Sequence, residues 1–170
     1  MPKGKLIIYY GIGQGKTTAA LGRAIRAIGR NKKVTIFQFM KGRKTGEYNF
    51  LQTKKLNINL CGPKTFLIGK KGFSLHSQKA KECFIKVKKI VKEQKVQLLI
   101  LDEILYALGF NLIKENDLIN LIKDRKNINI ILTGEKASNR LQKLADQITK
   151  FVKIKHYYDE GQKAIKGLDY

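Results

Sequence analysis

A glycine-rich turn between an apolar run and an amphipathic stretch is the strongest structural signal in the sequence. Residues 6–10 are continuously apolar or aromatic, which predicts a buried strand. From residue 17 to residue 28, apolar side chains recur with helical spacing. The turn between them has the sequence Gly11-Ile12-Gly13-Gln14-Gly15-Lys16-Thr17-Thr18. A strand, a glycine turn ending in Gly-Lys-Thr and a helix are the arrangement of a phosphate-binding P-loop.

Each part of this turn suits a nucleotide phosphate. Glycines let backbone N–H groups point at phosphate oxygens, and the helix N-terminus adds the positive end of its dipole. Lys16 supplies a cation, and the Thr17 hydroxyl suits Mg²⁺, which prefers oxygen ligands. The usual spacing puts a glycine at position 10, where this chain has Tyr10, so the loop is one residue short. The alternative is a turn that only joins strand to helix, and Gly-Lys-Thr-Thr at this junction argues against it.

Two further polar segments follow predicted strands at 34–39 and 96–101. The later strand runs into Asp102 and Glu103. Because ligands of open α/β sheets bind at the carboxyl ends of strands, these acids are candidates to hold Mg²⁺ or Mn²⁺ beside the glycine turn. The alternative is that they only cap the next helix. The earlier strand is followed by Lys41 and Glu47, which could face the nucleotide or belong to a polar surface loop.

The rest of the chain alternates short apolar runs with helical periodicity. Strands are predicted at 56–60, 128–132 and 148–154, and helices over 77–94, around 118–122 and after Ser138. We see no repeat, low-complexity segment or Ser/Gly linker. The pattern predicts a single α/β nucleotide-binding domain over residues 1–170, with a mostly parallel sheet and helices on both faces.

Composition narrows the partners and the location. The net charge of +22 comes from 29 lysines and only 6 arginines, spread along the chain. Dispersed lysines are typical of a solvated surface rather than a specific nucleic-acid reader. No apolar run reaches the length of a membrane span, and the N-terminus lacks the pattern of a signal peptide. Cys61 and Cys83 are too few for a disulfide framework or a Cys/His zinc site, so we expect a reducing, cytoplasmic location.

A glycine-punctuated segment over residues 62–76 is predicted to be a loop. Its apolar members Phe66, Leu67 and Phe73 could line a pocket for a flat apolar ligand, or could pack onto the core. His76 lacks a partner at metal-ligand spacing, as does the chain's other histidine.

Taken together, these residues resemble the P-loop type of ATP:corrinoid (cob(I)alamin) adenosyltransferase, and the resemblance covers nearly the whole chain. The shortened loop, the Gln-Phe-x-Lys-Gly segment and the C-terminal Gly-Leu-Asp-Tyr make it specific. Its carriers are residues 11–20, 38–42 and 101–103, Thr133-Gly134, Leu144-Ala145-Asp146, Lys155-His156, Asp159, Gly161 and Gly167-Leu168-Asp169-Tyr170.

The resemblance implies a RecA-like parallel sheet, usually in a homodimer, and a reaction between ATP and the Co(I) of a corrinoid substrate. ATP would lie reversed in the loop, so that triphosphate is the leaving group and the ribose C5′ faces the corrin. Co(I) is itself the nucleophile, which agrees with the lack of a Ser/His/Asp or Cys/His arrangement. A reduced flavoprotein or similar electron donor would supply Co(I). No membrane and no specific nucleic acid are expected as partners.

The residues and the resemblance together give the candidate site, with Phe73 added by the resemblance. Lys16 and Phe73 are the catalytic candidates, with Phe73 at the corrin pocket. The metal candidates are Thr17, Asp102 and Glu103. The nucleotide-binding candidates are Gly11, Ile12, Gly13, Gln14, Gly15, Lys16, Thr17, Thr18, Lys41 and Glu47.

Three positions depart from the family pattern, and two other activities compete with it. The family commonly has Asn and Lys where this chain has Ile12 and Gln14, and a Trp where it has Leu75. The competing activities are ATP hydrolysis or phosphoryl transfer by another P-loop enzyme, and a RecA-like ATPase stimulated by nucleic acid. The missing first glycine counts against the former, and the scarcity of arginine counts against the latter.

Overall fold

Six parallel strands form one sheet at the centre of the molecule. The computed structural model describes residues 2–53, 56–65, 67 and 72–169. The sheet has the order β3-β2-β4-β5-β1-β6, and every neighbouring pair is parallel. The strands are β1 (Leu6–Tyr10), β2 (Val34–Phe39), β3 (Asn57–Cys61), β4 (Leu98–Asp102), β5 (Asn129–Gly134) and β6 (Gln147–Lys150). The helices are α1 (Lys16–Ile28), α2 (Gly46–Thr53), α3 (Phe73–Glu93), α4 (Ile104–Gly109), α5 (Glu115–Lys123) and α6 (Asn139–Leu144).

Helices cover both faces of the sheet, as the sequence predicts. Alternate strand residues such as Ile8 and Leu101 pack with α3, α4, α5 and α6 on one face. Their neighbours, such as Tyr9 and Ile100, pack with α1 and α2 on the other. Because the central strands are buried on both faces, their sequences are continuous apolar runs rather than alternating ones.

The structure confirms the long elements and corrects several short ones. α1 and β1 match their predicted bounds within one residue. α2 and α4, of eight and six residues, were missed because so few residues show little periodicity. The predicted loop at 73–76 is wrong, since these residues form the first turn of α3. Phe66 and Tyr170 lie outside the described residues. None of the described helices has the length and apolar character needed to cross a membrane.

The two cysteines form a disulfide, which corrects the expectation from the cysteine count. Cys61 at the end of β3 and Cys83 in α3 are bonded, with their Cα atoms 5.7 Å apart. β3 packs directly against α3, and this packing brings together two residues 22 positions apart in sequence. Counting cysteines identifies frameworks of several bridges, and it misses a single pair that packing brings together.

A buried arginine joins the N-terminal residues to the end of α5 and to the segment before β6. Arg125 is only 5% exposed, and its guanidinium donates to Gly4 O at 2.8 Å and to Ile122 O at 2.9 Å. It also lies 3.3 Å from Asp146 Oδ2, which accepts a bond from Leu6 N at 2.7 Å. The Asp146 carboxylate therefore ties the start of β1 to the segment that precedes β6.

This carboxylate predicts an acid-sensitive contribution to stability. The bond from Leu6 N, helped by Lys5, holds the pKa of Asp146 below its ordinary value. A carboxyl whose pKa falls on folding stabilises the protein above its unfolded pKa and loses that effect as pH falls through its folded pKa. We expect Asp146→Asn to lower the urea midpoint at pH 7, and the difference from wild type to shrink below about pH 4. A difference that is constant between pH 7 and pH 2 would contradict this.

Candidate nucleotide-binding site

The glycine turn wraps around the carboxyl end of β1 in a shape that glycine alone accommodates well. Gly11 has φ of +123°, and a Cβ there would lie 2.2 Å from Phe151 O. Gly15 has φ of +99° and is the residue directly before α1. L-residues with side chains rarely adopt either conformation. The backbone after β6 is packed against the turn, since Gly13 N donates to Phe151 O at 3.0 Å.

Lys16 and Thr17 are the first two residues of α1, and their side chains bond different parts of the site. Lys16 Nζ donates to Gly13 O at 2.7 Å, so the ammonium spans the turn. Thr17 Oγ1 donates to Asp102 Oδ1 at 2.9 Å. The structure thus brings the predicted lysine, threonine and strand-end acid into one cluster, with the positive end of α1 behind them.

Asp102 is the centre of a buried hydrogen-bond network. Its side chain is 2% exposed. Oδ1 accepts from Thr17 and, at 2.7 Å, from Thr133 Oγ1. Oδ2 accepts from Gln38 Nε2 at 3.2 Å and from Lys41 Nζ at 3.0 Å. Four donors on two oxygens satisfy a carboxylate that has almost no contact with water.

Lys41 pairs with this carboxylate and with a second acid. Burial alone would lower the pKa of the Lys41 ammonium, but the charge and hydrogen bond of Asp102 outweigh it and raise that pKa. Glu47, in the first turn of α2, lies 4.0 Å from Lys41 Nζ. The missed helix α2 therefore provides the position of a predicted site residue.

Glu103 differs from its neighbour because it faces the cleft rather than the sheet. It takes a left-handed backbone with φ of +61°, and its N–H donates to Thr133 Oγ1 at 2.8 Å. Burial and the nearby negative charge of Asp102 raise the pKa of Glu103 to about 7, against the opposing effect of Lys41 and Lys16. Non-glycine residues with such backbones concentrate at functional sites.

A cleft of about 650 Å³ runs along this edge of the sheet. Its lining combines the phosphate loop, the start of α1, the β2–α2 segment, the end of β4 and the C-terminal residues. The lining residues are Gln14, Gly15, Lys16, Thr17, Thr18, Leu21, Gly22, Ile25, Lys41, Gly46, Glu47, Glu103, Gly167, Leu168 and Asp169.

The side chains in this cleft fit a divalent cation that also binds phosphate. Within the described ranges, no group of three or more His, Cys, Asp or Glu residues could hold a metal by itself. Mg²⁺ characteristically takes one or two protein oxygens and completes its shell with water and phosphate. The Thr17 hydroxyl gives its proton to Asp102 and keeps its oxygen lone pairs for a ligand. Glu103 adds a carboxylate on the cleft side.

Not every predicted site residue lies in this cleft. Phe73 and Leu75, on the first turn of α3, are 40% and 46% exposed and do not line it. Ile12 is 66% exposed and does not line the cleft either. The segment that leads toward Phe73 does start at the site, because Gly62 N donates to Lys41 O at 2.9 Å.

Gln38 and Thr133 have roles that the sequence did not assign. Both lie at carboxyl ends of the strands that flank β4, and both donate to Asp102. Thr133 belonged to the family resemblance without a function. The strand order, which sequence alone does not give, would have identified them.

Comparison with known proteins gives a match over almost the full chain. The family described as ATP:corrinoid adenosyltransferase BtuR/CobO/CobP matches residues 2–170. A protein of Escherichia coli strain K12 named corrinoid adenosyltransferase is 29% identical in an alignment that covers 99% of this chain and 86% of that protein. The corrinoid adenosyltransferase of Salmonella typhimurium strain LT2 has the same identity and coverage. A relative of that name from a Sinorhizobium species is 29% identical over 81% of its length.

Proposed function

The chain belongs to the family of ATP:corrinoid adenosyltransferases, and from this premise we propose how its cleft divides the work of the reaction. The activity is transfer of the 5′-deoxyadenosyl group of ATP to the Co(I) of a corrinoid, with release of triphosphate, as in adenosylcobalamin synthesis. The observation that carries the proposal is the shortened phosphate loop with Lys16 and Thr17 beside the buried Asp102.

The chemistry asks little proton transfer of the protein. Co(I) supplies the electron pair of the new cobalt–carbon bond, the C5′–oxygen bond breaks, and both electrons of that bond leave with triphosphate. The protein must therefore orient C5′, stabilise the negative charge on the leaving group and exclude water. No general base is required.

We assign stabilisation of triphosphate to the phosphate loop. The loop amides, the N-terminus of α1 and the Lys16 ammonium would bind its oxygens. Thr17 and Glu103 would contact Mg²⁺, with Asp102 orienting Thr17 and Lys41. When bound, Mg²⁺ neutralises charge on the leaving phosphates. Glu47, which forms an ion pair with Lys41, would line the part of the cleft that contacts the nucleoside.

Phe73 is proposed to contact the corrin. Its partial exposure at the start of α3 suits a side chain that covers an apolar ring. The chain that leads to it from Gly62 starts beside the site, because Gly62 N is bonded to Lys41 O. We further propose that residues 1–170 act as one domain, that the protein works as a homodimer in the cytoplasm, and that a reduced flavoprotein or similar donor makes Co(I). A cytoplasmic location would favour the dithiol form of Cys61 and Cys83.

An anaerobic assay tests this function. Chemically reduced cob(I)alamin and Mg·ATP should yield adenosylcobalamin and free triphosphate in equal amounts, followed together by the cobalt–carbon spectrum and by phosphate analysis. Orthophosphate release without a corrinoid product would contradict the proposal and favour a P-loop ATPase or phosphotransferase. Adding DNA or RNA at low and high salt would then identify an ATPase stimulated by nucleic acid.

A further inference from the structure

The C-terminal segment of the described chain lies against the phosphate loop. It leaves β6, which pairs with β1, so it starts beside the turn that also leaves β1. Phe151 O accepts the bond from Gly13 N at one end of the segment. At its other end, residues 167–169 line the same cleft as Lys16. The segment therefore contacts the site at both of its ends.

Asp169 fixes the far end of this segment to the loop. Its Oδ1 accepts from Gln14 Nε2 at 3.2 Å. The Tyr157 hydroxyl, which lies 2.6 Å from each carboxylate oxygen, donates to the same group. Ile165 N donates to Oδ2 at 2.6 Å, and Asp169 N donates back to Ile165 O at 2.8 Å. One carboxylate thus joins a closed turn, a tyrosine and the phosphate loop.

Gln14 is the loop residue through which this contact would act. It stands between Gly13 and Gly15, in the part of the loop whose backbone N–H groups must converge on phosphate. Glycine-flanked backbone has many accessible conformations, so ordering it on binding costs free energy. A contact that already holds this residue in the free protein reduces that cost, which is the general basis of preorganisation.

We propose that residues 151–169 form a strap over the phosphate loop and that Asp169 is its positioning residue, acting through Gln14 to raise affinity for triphosphate-bearing ligands. The identity of that ligand as ATP rests on the proposed function. The strap makes its contact on the loop side of the cleft, and its effect is on triphosphate rather than on the corrinoid.

Equilibrium binding of Mg·ATP and of inorganic tripolyphosphate, measured by calorimetry, tests the strap. We expect Asp169→Ala and Gln14→Ala each to raise the dissociation constants of both ligands about five- to tenfold, which corresponds to the loss of about one net hydrogen bond. The double variant should be no weaker than either single one, because both remove the same contact. Glu160→Ala is the matched control, since it removes an exposed ion pair with Lys155 in the same segment and should leave affinity unchanged.

Kinetics separate a positioning role from a structural one. Asp169→Ala should raise KM for ATP about five- to tenfold, with kcat at saturating ATP and KM for the corrinoid within twofold of wild type. Should Asp169→Ala fold poorly, Tyr157→Phe can be used instead, because it removes the hydroxyl that donates to the Asp169 carboxylate. It should lower the affinity for ATP by a smaller factor. The proposal would be overturned if Asp169→Ala and Tyr157→Phe bound ATP with wild-type affinity. It would also be overturned if the losses of affinity added up in the double variant of Asp169 and Gln14.

The binding arm also keeps this proposal separate from the proposed function. If the wild-type protein binds ATP and tripolyphosphate but makes no adenosylcobalamin, the proposed transferase activity is refuted. The affinities of the variants relative to wild type would still test the role of the strap. If the Asp169 and Tyr157 variants show normal adenosyl transfer and unchanged affinity for ATP, the proposed role of the strap is refuted and the proposed transferase activity stands.

Discussion

Replacing Lys16 with alanine should lower adenosyl transfer at least about a hundredfold, the loss typical of removing one preorganised charge from a reaction centre. Triphosphate gains negative charge as the C5′–oxygen bond breaks, and Lys16 is the cation that the loop itself supplies. In the free protein its ammonium already lies over the turn, bonded to Gly13 O at 2.7 Å. The measurement is the initial rate of adenosylcobalamin formation with excess cob(I)alamin and saturating Mg·ATP.

Two controls make the result specific to this side chain. Lys32→Ala removes an exposed lysine at the opposite edge of the sheet, just before β2, and should leave the rate unchanged. Lys16→Arg keeps the charge but changes the shape of the donor, so it should recover only part of the rate. The melting temperature of Lys16→Ala should match wild type, because the side-chain hydrogen bond that is lost goes to the neighbouring loop and not to the core. Turnover near the wild-type rate in Lys16→Ala would refute the assignment.

Asp102→Asn should both destabilise the protein, by about 3 kcal/mol, and nearly abolish transfer. The substitution keeps the shape of the side chain but removes the charge that pairs with Lys41 and turns one acceptor into a donor facing other donors. Breaking a buried ion pair by changing one partner typically costs about 3–5 kcal/mol, and the partial exposure of Lys41 places this case at the low end. Urea unfolding measures the loss.

Neighbouring substitutions show whether the buried charge pair is the cause. Glu103→Gln makes the same carboxyl-to-amide change one residue further along the chain, and it should cost less than about 1 kcal/mol because Glu103 faces the cleft. Adding Lys41→Met to Asp102→Asn removes the ammonium that would lack its partner. The double variant should therefore be less destabilised than the sum of the single ones. An Asp102→Asn protein as stable as wild type would contradict the network.

The sequence predicted the parts of the site that lie next to one another along the chain. The glycine turn, Lys16 and Thr17 come together in a single strand–turn–helix unit, and apolar β4 points directly to Asp102 and Glu103. These signals are local, because a buried strand and an amphipathic helix each have a recognisable spacing.

What the sequence missed depends on contacts between distant segments. Gln38 and Thr133 reach Asp102 only because β2 and β5 flank β4, and the sequence does not fix that order. α2 and α4 are too short for their periodicity to be distinct. The contact between Asp169 and Gln14 joins residues 155 positions apart, which no local pattern encodes.

When Cys61 and Cys83 are oxidised, as in this structure, their bond encloses residues 62–82 in a covalent ring. A protease that cuts once inside this ring, for example after Lys64 or Lys79, leaves both halves of the chain attached. Such a nicked protein migrates at full mass on a gel without reductant and separates into two fragments only when thiol is added. Limited proteolysis of this protein is therefore informative about the segment before Phe73 only when each digest is run in both states.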